Sequence, residues 1–365
     1  MQSNMLALSD PVSFRCGTRS KNRMALAPLT NGQSGKDGVL SDEEARWLTR
    51  RAEGGFGVVT TCAAYVDAGG QGFDGQLGVS TEAQCERLAP LSRSMMAEGA
   101  LSIVQLHHGG VRAPSRLTGR RPVSASTFVL AEEGFEEPAA LSIPEVDALT
   151  GAFVNAAVRV VKSGFSGVEL HAAHGYLLSQ FLSSTMNVRD DAYGGSLDAR
   201  YRWVGELVRA TRSAIPGAIV GVRISPEDFG YARGLDLDES LEVARRLAAD
   251  GVDYVHLSLW DVKRMTQKAP TRHAIPMFRA ALPDDVVLVV AGAIGDRALA
   301  EATLALGADM VAIGRAAIVN PDWAKNIERE GWQPEKPPLR PEQYHERAVS
   351  PAFVEYLRRF KNMVS

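Results

Sequence analysis

The sequence of 365 residues predicts an α/β protein built as one closed (β/α)₈ barrel. Eight short runs of residues are apolar and β-branched on both faces, which is typical of parallel strands covered by helices. The segments between them alternate apolar and charged residues at helical spacing. The first strand-to-helix turn, APLTNGQSGKDG, lacks the G-x-G-x-x-G spacing usual in an open doubly wound sheet, so the barrel is favoured over that alternative.

The predicted strands and helices alternate along the whole chain. The strands are RMALAP (23–28), GVVTTC (57–62), LSIVQL (101–106), GVELH (167–171), IVGVRIS (219–225), YVHLS (254–258), VVLVVAG (286–292) and MVAIG (310–314). The first helix is expected to begin after Ser41, which can cap it, and to stop at Gly54. Residues 196–215 and 237–251 carry two further amphipathic helical patterns.

No internal linker interrupts the pattern, so residues 1–365 are expected to form a single domain. The longest stretch without a strand or helix pattern covers about 109–138, after the third strand. A loop of that length at this face of a barrel is typically functional, often as a lid. The tail from about residue 333 is expected to be a surface helix, with packing against a neighbouring subunit of a homo-oligomer as the alternative.

Composition narrows the function. A net charge of −3 gives the chain no attraction to nucleic acid or to an anionic membrane. There is no apolar run of about 18 residues and no signal-peptide pattern at the N-terminus. The cysteines at 16, 62 and 85 form no CxxC pair, so neither a disulfide framework nor a cysteine metal site is expected. A cytoplasmic location fits best.

The ends of the seventh and eighth strands predict a phosphate site. Gly292 and Ala293 follow one strand and Gly314 and Arg315 the other, which is the usual phosphate position in these barrels. Glycines let backbone N–H groups approach a phosphate closely, and Arg315 adds a forked cation. The alternative is that both glycines only form tight turns.

Two polar residues are expected to point into the ring of strands. Gln105 can donate and accept at once, which suits the edge of a heterocycle. Arg223 supplies a fixed cation suited to a ring that becomes anionic on reduction. The alternatives are a core hydrogen bond for Gln105 and an internal salt bridge for Arg223. Together with the phosphate site, they indicate a phosphorylated aromatic cofactor.

The end of the fourth strand, HAAHGY, carries the reactive groups. His171 and His174 can donate two N–H bonds to one oxygen that becomes negative, and Tyr176 can deliver a proton. A metal site is the rival reading, because H-x-x-H can chelate with His108 or Glu169 as a third ligand. A structural histidine pair is the other alternative.

The segment HAAHGYLLSQFLSSTMNVRDDAYGGSLDARYRW closely resembles the signature of the old yellow enzyme family of FMN-dependent ene-reductases. KNRMALAPLT, QLHHGG, GVRIS and the 289–323 region extend the resemblance to about residues 11–325. It implies a TIM barrel whose bottom is closed by an N-terminal hairpin, here DPVSFRCGTRSKNRM. It also implies FMN reduced by NAD(P)H, a small electron-poor alkene as substrate and no metal site.

The resemblance assigns roles residue by residue. His171 and His174 would bind the activating oxygen of the alkene, and Tyr176 would protonate its α-carbon. The residues implied to hold FMN are Pro28, Leu29, Thr30, Ala63, Gln105, Arg223, Gly292, Ala293, Gly314 and Arg315.

Two departures from the family pattern affect the substrate pocket. Where the family often has H-x-G-R, the arginine stands one place later, as Arg112. Part of the family has an aromatic residue where this chain has Asn31 and Gly32, so a more open pocket is expected on that side. Other chemistry on FMN, such as nitro or nitrate ester reduction, amine demethylation or desaturation, remains an alternative. So do a flavin-binding protein of low activity and a cofactor-free lyase or isomerase barrel.

Overall fold

A computed structural model describes residues 6–128 and 135–365, and it confirms the closed barrel. Each barrel strand is hydrogen-bonded in parallel to the next, and the eighth pairs with the first. The strands are β1 (Met24–Leu26), β2 (Val58–Tyr65), β3 (Leu101–His107), β4 (Gly167–Ala172), β5 (Ile219–Ile224), β6 (Tyr254–Ser258), β7 (Val287–Ala291) and β8 (Met310–Ile313).

A helix follows every strand and covers the outer face of the barrel. These helices are α1 (Asp42–Glu53), α2 (Leu88–Ala97), α3 (Ile143–Lys162), α4 (Leu197–Ala214), α5 (Leu237–Ala249), α6 (Ala274–Ala281), α7 (Arg297–Ala305) and α8 (Arg315–Val319). Shorter helices cover Glu82–Cys85, Leu177–Leu182 and Trp323–Asn326. The predicted first helix is confirmed, since the Ser41 side chain accepts the Glu44 N–H bond at its start.

Strand ends differ from the prediction by a few residues. The largest difference is in β2, which runs to Tyr65 rather than ending at residue 62. Its register against β3 shifts between Thr60 and Ala63, so the strand bulges and then continues. The extension of β2 to Tyr65 was not predicted, because the small and polar residues of TTCAA interrupt the apolar run on which the prediction was based.

The N-terminal hairpin closes the bottom of the barrel. Val12–Ser13 pairs antiparallel with Arg19–Ser20, and Phe14 extends from the hairpin into the strand ring. The Phe14 ring lies 6.0 Å from the Tyr254 ring at the start of β6. The hairpin therefore leaves the opposite end, where the strands end, as the open face.

The loop after β3 contains regular structure where residues are described. A 3₁₀ turn covers Gly110–Arg112, a short helix covers Ser115–Thr118, and Val123–Ser124 pairs with Ala139–Ala140. The prediction of an irregular stretch over 109–138 is therefore wrong for these parts. Residues 129–134 of the expected lid lie outside the described residues.

The C-terminal segment folds onto its own barrel. Its helices, Pro341–His345 and Pro351–Leu357, follow α8, and the second buries Phe353 edge-on against Trp47 of α1 at 5.1 Å. Arg51 of α1 is fully buried and donates to the backbone oxygens of Ala317, Ile318 and Arg347. The segment thus holds two short helices where one surface helix was expected, and an apolar face of the second packs on the core while its other face is exposed.

Within residues 6–128 and 135–365, no helix has the length and apolar character needed to cross a membrane.

Candidate active site

The three reactive groups predicted from HAAHGY lie together at the end of β4. The ring centroids of His171 and His174 are 5.0 Å apart at an angle of 85°, and the Tyr176 ring is 5.0 Å from His171. His171 is buried, while His174 and Tyr176 are half-buried. Two imidazoles and one phenol therefore face a common space at the mouth of the barrel.

The backbone is forced into this arrangement. His174 has a φ of 62°, a left-handed conformation that a histidine rarely adopts and that costs about 1–2 kcal/mol. Gly175 follows with a φ of 77°, and a Cβ there would lie 2.7 Å from the backbone of Tyr231 and Ala232. A strained residue next to a required glycine is typical of functional sites, where surrounding structure holds the strain.

Burial keeps both histidines neutral. It lowers the pKa of His171 well below its usual range, and the neighbouring His174 and His107 add to the effect. Burial likewise lowers the pKa of His174, with Arg223 as the next cause. The Nδ1 atom of His171 has no hydrogen-bond partner among the described residues. A buried nitrogen without a partner is costly, which indicates that a ligand supplies the partner.

A polar chain links His174 to Arg223. Nε2 of His174 lies 2.8 Å from the Ser258 hydroxyl at the end of β6, and Arg223 donates to the same hydroxyl at 3.0 Å. Because that oxygen already accepts from Arg223, its own proton can be donated to His174 Nε2. In that tautomer Nδ1 carries the hydrogen of His174.

His107, at the end of β3, joins the site although sequence reasoning assigned it no role. Its ring lies 4.3 Å from the Tyr176 ring and 5.5 Å from the His171 ring. Neither ring nitrogen has a partner in the described part of the chain, and burial lowers its pKa well below the usual range. The sequence feature that could have predicted this role is the position of His107 in QLHH, at the end of the third strand and directly before the loop.

Arg112, the displaced arginine of the family pattern, also reaches the site. Its guanidinium lies 4.3 Å from the Tyr176 ring centroid and 4.4 Å from that of Tyr231. It also donates to the His174 backbone oxygen at 3.4 Å. The shift of one residue therefore keeps a cation on the face of the phenol.

A second group of buried polar side chains, the inner cluster of Gln105, Glu169, Tyr254 and His256, lies deeper in the barrel. Glu169 accepts from Gln105 Nε2 at 2.7 Å, the Tyr254 hydroxyl at 3.0 Å and His256 Nδ1 at 2.8 Å. Burial alone would raise the pKa of Glu169, but His256, Arg223 and Gln105 hold it below its usual value. Burial lowers the pKa of His256, which leaves a neutral imidazole beside an anion.

The inner cluster tests two alternatives from the sequence analysis: a core hydrogen bond for Gln105, and a metal site at His171 and His174. Gln105 makes the core hydrogen bond that was one alternative, yet this bond fixes its Nε2 on Glu169 and leaves Oε1 for another partner. Glu169 and His108 do not serve as third ligands to His171 and His174, since Glu169 is held inside the barrel. His108 accepts the Gly110 N–H bond, and burial lowers its pKa to about 4. No group of three or more His, Cys, Asp or Glu suited to a metal occurs in residues 6–128 and 135–365.

The predicted phosphate residues lie at neighbouring strand ends. β7 pairs with β8 through Ala291 and Ala312, which places Gly292 and Ala293 beside Gly314. Ala293 is exposed with a φ of 53°, again a left-handed non-glycine residue. Arg315 is exposed and makes no hydrogen bond or ion pair within residues 6–128 and 135–365, so its guanidinium is available to an anion.

The residues expected along the ring of a flavin also converge. Leu29 lies under Gly314, where a Cβ would be 3.5 Å from the leucine methyl. Ala63 is the register partner of Gln105, and His171 is the register partner of Arg223. Pro28 and Thr30 continue β1 at the same face. The ten expected cofactor residues therefore surround one end of the barrel.

Thr30 has an aromatic neighbour that the sequence did not predict. Burial raises the pKa of Tyr356, in the helix Pro351–Leu357, and the nearby Thr30 side chain opposes this shift. Asn31 instead turns away and donates to buried Glu44 at 3.0 Å.

More aromatic rings line the mouth above His174. The Phe229 ring lies 5.0 Å from His174 and 5.1 Å from Trp260, which is 64% exposed. Such a pair of rings offers a stacking surface to a planar molecule entering the site.

The polar groups of this face fit FMN. The Nε atom of Arg223 is buried without a partner among the described residues, and Gln105 has a free amide oxygen. Both suit the hydrogen-bonding edge of an isoalloxazine ring. The strained turn at Ala293 and the available Arg315 suit a phosphate. The metal alternative lacks such a fit.

Comparison with known proteins agrees with this chemistry. The model of the NADH:flavin oxidoreductase / NADH oxidase family matches residues 8–332. A probable NADH-dependent flavin oxidoreductase of Bacillus subtilis is 34% identical over 331 residues, which cover 89% of this chain and 88% of that protein. The NADH:fumarate oxidoreductase of Klebsiella pneumoniae is 33% identical over 338 residues. The match covers 90% of this chain but only 36% of that longer protein.

Solved structures share the fold. The old yellow enzyme homologue from Zymomonas mobilis superposes with a TM-score of 0.82 at 26% identity, over 93% of this chain and 96% of that one. Morphinone reductase superposes with a TM-score of 0.83 at 25% identity, over 94% of each chain.

Proposed function

Because this chain belongs to the NADH:flavin oxidoreductase / NADH oxidase family, with FMN as cofactor and NAD(P)H as reductant, we propose that it is an ene-reductase. Its substrates would be small alkenes conjugated to a carbonyl or nitro group. The observation that carries the proposal is the buried His171 Nδ1 without a partner, next to His174 and the Tyr176 phenol. When bound, FMN supplies the hydride that it has received from NAD(P)H.

The two histidines bind and polarise the substrate. Both are neutral at pH 7, so each offers one N–H donor without carrying a charge. Donors aimed at the activating oxygen strengthen as that oxygen becomes enolate-like, and such differential binding accelerates the reaction. Ser258 orients His174 from behind, and Arg223 fixes Ser258.

Tyr176 provides the proton for the α-carbon. Its ring is held by His107 on one side and by the Arg112 guanidinium on its face. Two packed neighbours restrict the ring, which keeps the phenolic hydrogen directed at one point of the pocket.

The cofactor would occupy the strand ends next to these groups. Its ring would rest on the β1 and β2 ends, its pyrimidine edge on the β3 and β5 side chains, and its phosphate at the β7 and β8 ends. The residues with these roles are Pro28, Leu29, Thr30 and Ala63; Gln105 and Arg223; and Gly292, Ala293, Gly314 and Arg315.

Replacement of the phenol tests the assignment of the proton donor. In Tyr176→Phe, we expect alkene reduction to slow by roughly 10²–10⁴-fold, because a positioned general acid is lost. Reduction of the flavin by NADPH should stay near the wild-type rate, since it needs no proton from Tyr176. Anaerobic stopped-flow measurement of the two half-reactions, with 2-cyclohexen-1-one as the alkene, separates these effects.

Tyr201→Phe is the matched control, because its hydroxyl donates to Asp250 between α4 and α5, away from the pocket. Both half-reactions should be unchanged in that variant. An equal loss in both half-reactions of Tyr176→Phe would contradict the proton-donor role.

A further inference from the structure

A cleft on the outer side of the barrel, the outer cleft, is lined by residues that the proposed reaction does not use. It lies between the loops after β2 and β3 and one face of α3, and its volume is about 220 Å³. About 10–15 Å³ suffices for one water molecule, so the outer cleft has room for a small organic molecule. His107 packs against Tyr176 in the catalytic pocket, whereas the next residue, His108, lines the outer cleft.

His108 presents a hydrogen-bond donor to the outer cleft. The residue is 3% exposed, and its Nδ1 accepts the Gly110 N–H bond at 3.1 Å. Burial lowers the pKa of His108 to about 4, so the ring is neutral at pH 7 and carries its hydrogen on Nε2. Within residues 6–128 and 135–365, this Nε2 makes no hydrogen bond. An N–H donor on a nearly buried ring is therefore available to a ligand.

The turn Ala68–Gly70 holds the ring of His108 and places a carboxylate near it. A Cβ on Gly70 would lie 2.5 Å from Cδ2 of His108, so glycine lets the ring pack directly on this backbone. Asp67 caps the turn, since its Oδ1 accepts the Gly69 N–H bond at 2.7 Å. The other oxygen, Oδ2, makes no hydrogen bond among the described residues. The outer cleft thus offers an acceptor as well as a donor.

A cation and an apolar wall complete the outer cleft. The Arg120 guanidinium makes no hydrogen bond or ion pair in the part of the chain that the structure describes. Arg121 is instead occupied, since it donates to Glu137 at 2.5 Å. Leu149 and Ala152, three residues apart on one face of α3, belong to the wall.

These groups favour a neutral planar ligand over an anion. The His108 donor needs an acceptor and the Asp67 oxygen needs a donor, and a carboxamide carries both on one edge. A carboxylate offers acceptors alone, and it would be repelled by Asp67 and by Glu145, which also lines the outer cleft. An aromatic ring suits the rest of the surface, because the Arg120 guanidinium can stack on its face and the wall is apolar.

We propose that the outer cleft is a second binding site, which takes a planar aromatic molecule with a carboxamide-type edge. The carbonyl oxygen of the ligand accepts the His108 Nε2–H bond, and its amide N–H donates to Asp67 Oδ2. The ring lies between Arg120 and the α3 wall. The inference is independent of the proposed function, since none of these contacts involves the catalytic groups.

The first test compares benzamide with benzoate as probes of the FMN-loaded, ¹⁵N-labelled protein. In NMR titrations, the backbone amides of Gly69 and Gly70 report on the outer cleft, and that of Gly175 reports on the catalytic pocket. Benzamide should shift both cleft signals saturably and bind about tenfold or more tightly than benzoate, because it alone satisfies Asp67. Absence of a saturable shift, or equal affinities for the two probes, would overturn the inference.

Asp67→Asn tests the assigned edge. Asparagine keeps an oxygen for the Gly69 cap but replaces the free oxygen by an amide donor, so affinity for benzoate relative to benzamide should rise about tenfold or more. Asp74→Asn is the matched control, because Asp74 is an exposed carboxylate paired with Arg116, and it should keep the wild-type ratio. A wild-type ratio in Asp67→Asn would overturn the assignment.

Ala152→Trp tests the location, because an indole on this face of α3 fills the outer cleft. The benzamide shifts of Gly69 and Gly70 should disappear, while any shift of Gly175 should be unchanged. Gly151→Trp is the control on the same helix, since a Cβ there meets no atom within 4 Å and the indole extends into open space. FMN content and thermal unfolding verify that each variant is folded. Cleft shifts that persist in Ala152→Trp, or that disappear equally in Gly151→Trp, would overturn the inference.

Discussion

Two groups of buried polar side chains lie one above the other in this barrel, and they differ in whether their hydrogen bonds are made. The inner cluster bonds largely within itself: Glu169 accepts from three donors, and Gln105 Oε1 and His256 Nε2 are left over among its described contacts. In the pocket, His107 and His171 have nitrogens without partners among the described residues. Both groups are equally hidden from water.

This difference in hydrogen bonding distinguishes residues that stabilise the fold from residues whose hydrogen-bond partner is a ligand. Buried polar groups in folded proteins are almost always paired, so a satisfied cluster stabilises the barrel while an unsatisfied one costs stability. That cost is recovered when a ligand completes the bonds. Mutations in the pocket should therefore weaken ligand binding more than stability, and mutations in the inner cluster should lower stability more than ligand binding.

The largest effect is expected on ligand binding at the pocket histidines. In the FMN-loaded double variant His171→Ala/His174→Ala, phenol should bind about 10²–10⁴-fold more weakly, because two hydrogen bonds to a charged oxygen contribute roughly 3–6 kcal/mol together. The free energy of unfolding should not fall in proportion, since His171 Nδ1 has no bond to lose within the described chain and His174 loses only its bond to Ser258. Absorbance titration and urea unfolding measure the two quantities.

His345→Ala is the control, because His345 is exposed on the C-terminal segment. Unchanged phenol binding in the double variant would contradict the proposed oxygen site.

The inner cluster should show the reverse pattern. Glu169→Ala removes the acceptor of three donors and the anion near Arg223, and breaking such a buried group typically costs about 3–5 kcal/mol. Urea unfolding with saturating FMN measures the loss. Glu355→Ala, at an exposed carboxylate, should leave stability unchanged. If the two variants were equally stable, the inner cluster would not be a structural unit.

A third effect is a dependence of stability on pH. The pKa values of His107, His171 and His174 are lowered in the folded protein, chiefly by burial, so below about pH 6.5 the unfolded chain binds protons that the folded chain does not. Stability should therefore fall as pH drops below 6.5, by up to about 1.4 kcal/mol per pH unit for each histidine. Urea unfolding at pH 7.5, 6.0 and 5.0 measures the slope.

In His171→Gln/His174→Gln the slope should be shallower, because two of the proton-excluding groups are gone. His345→Ala should keep the wild-type slope. Equal slopes in wild type and the double variant would show that these histidines are not the source.

The sequence predicts the barrel well because each strand is a local apolar run and each helix a local amphipathic pattern. The strand ends are less certain, and the bulge of β2 shows why: the small residues after Thr60 carry no periodicity. His171, His174 and Tyr176 were predictable because all lie within six residues of one strand end.

The rest of the site depends on contacts between distant parts of the chain. The isolation of the His107 nitrogens is a property of the packed interior, which no local pattern encodes. The docking of the C-terminal helix is hidden for the same reason, since the partner of Phe353 is the distant Trp47.

Arg51 connects the phosphate end of the barrel with the segment that carries Tyr356. It stacks on Trp47 and donates to the main-chain oxygens of Ala317, Ile318 and Arg347. Main-chain oxygens are the same for every amino acid, so the acceptor positions are free to change in evolution while the connection persists. Arg51 itself has no such freedom, because lysine lacks the planar fork that reaches several oxygens at once. The lineage of this protein can therefore revise the sequence of its C-terminal segment while one arginine preserves the position of that segment.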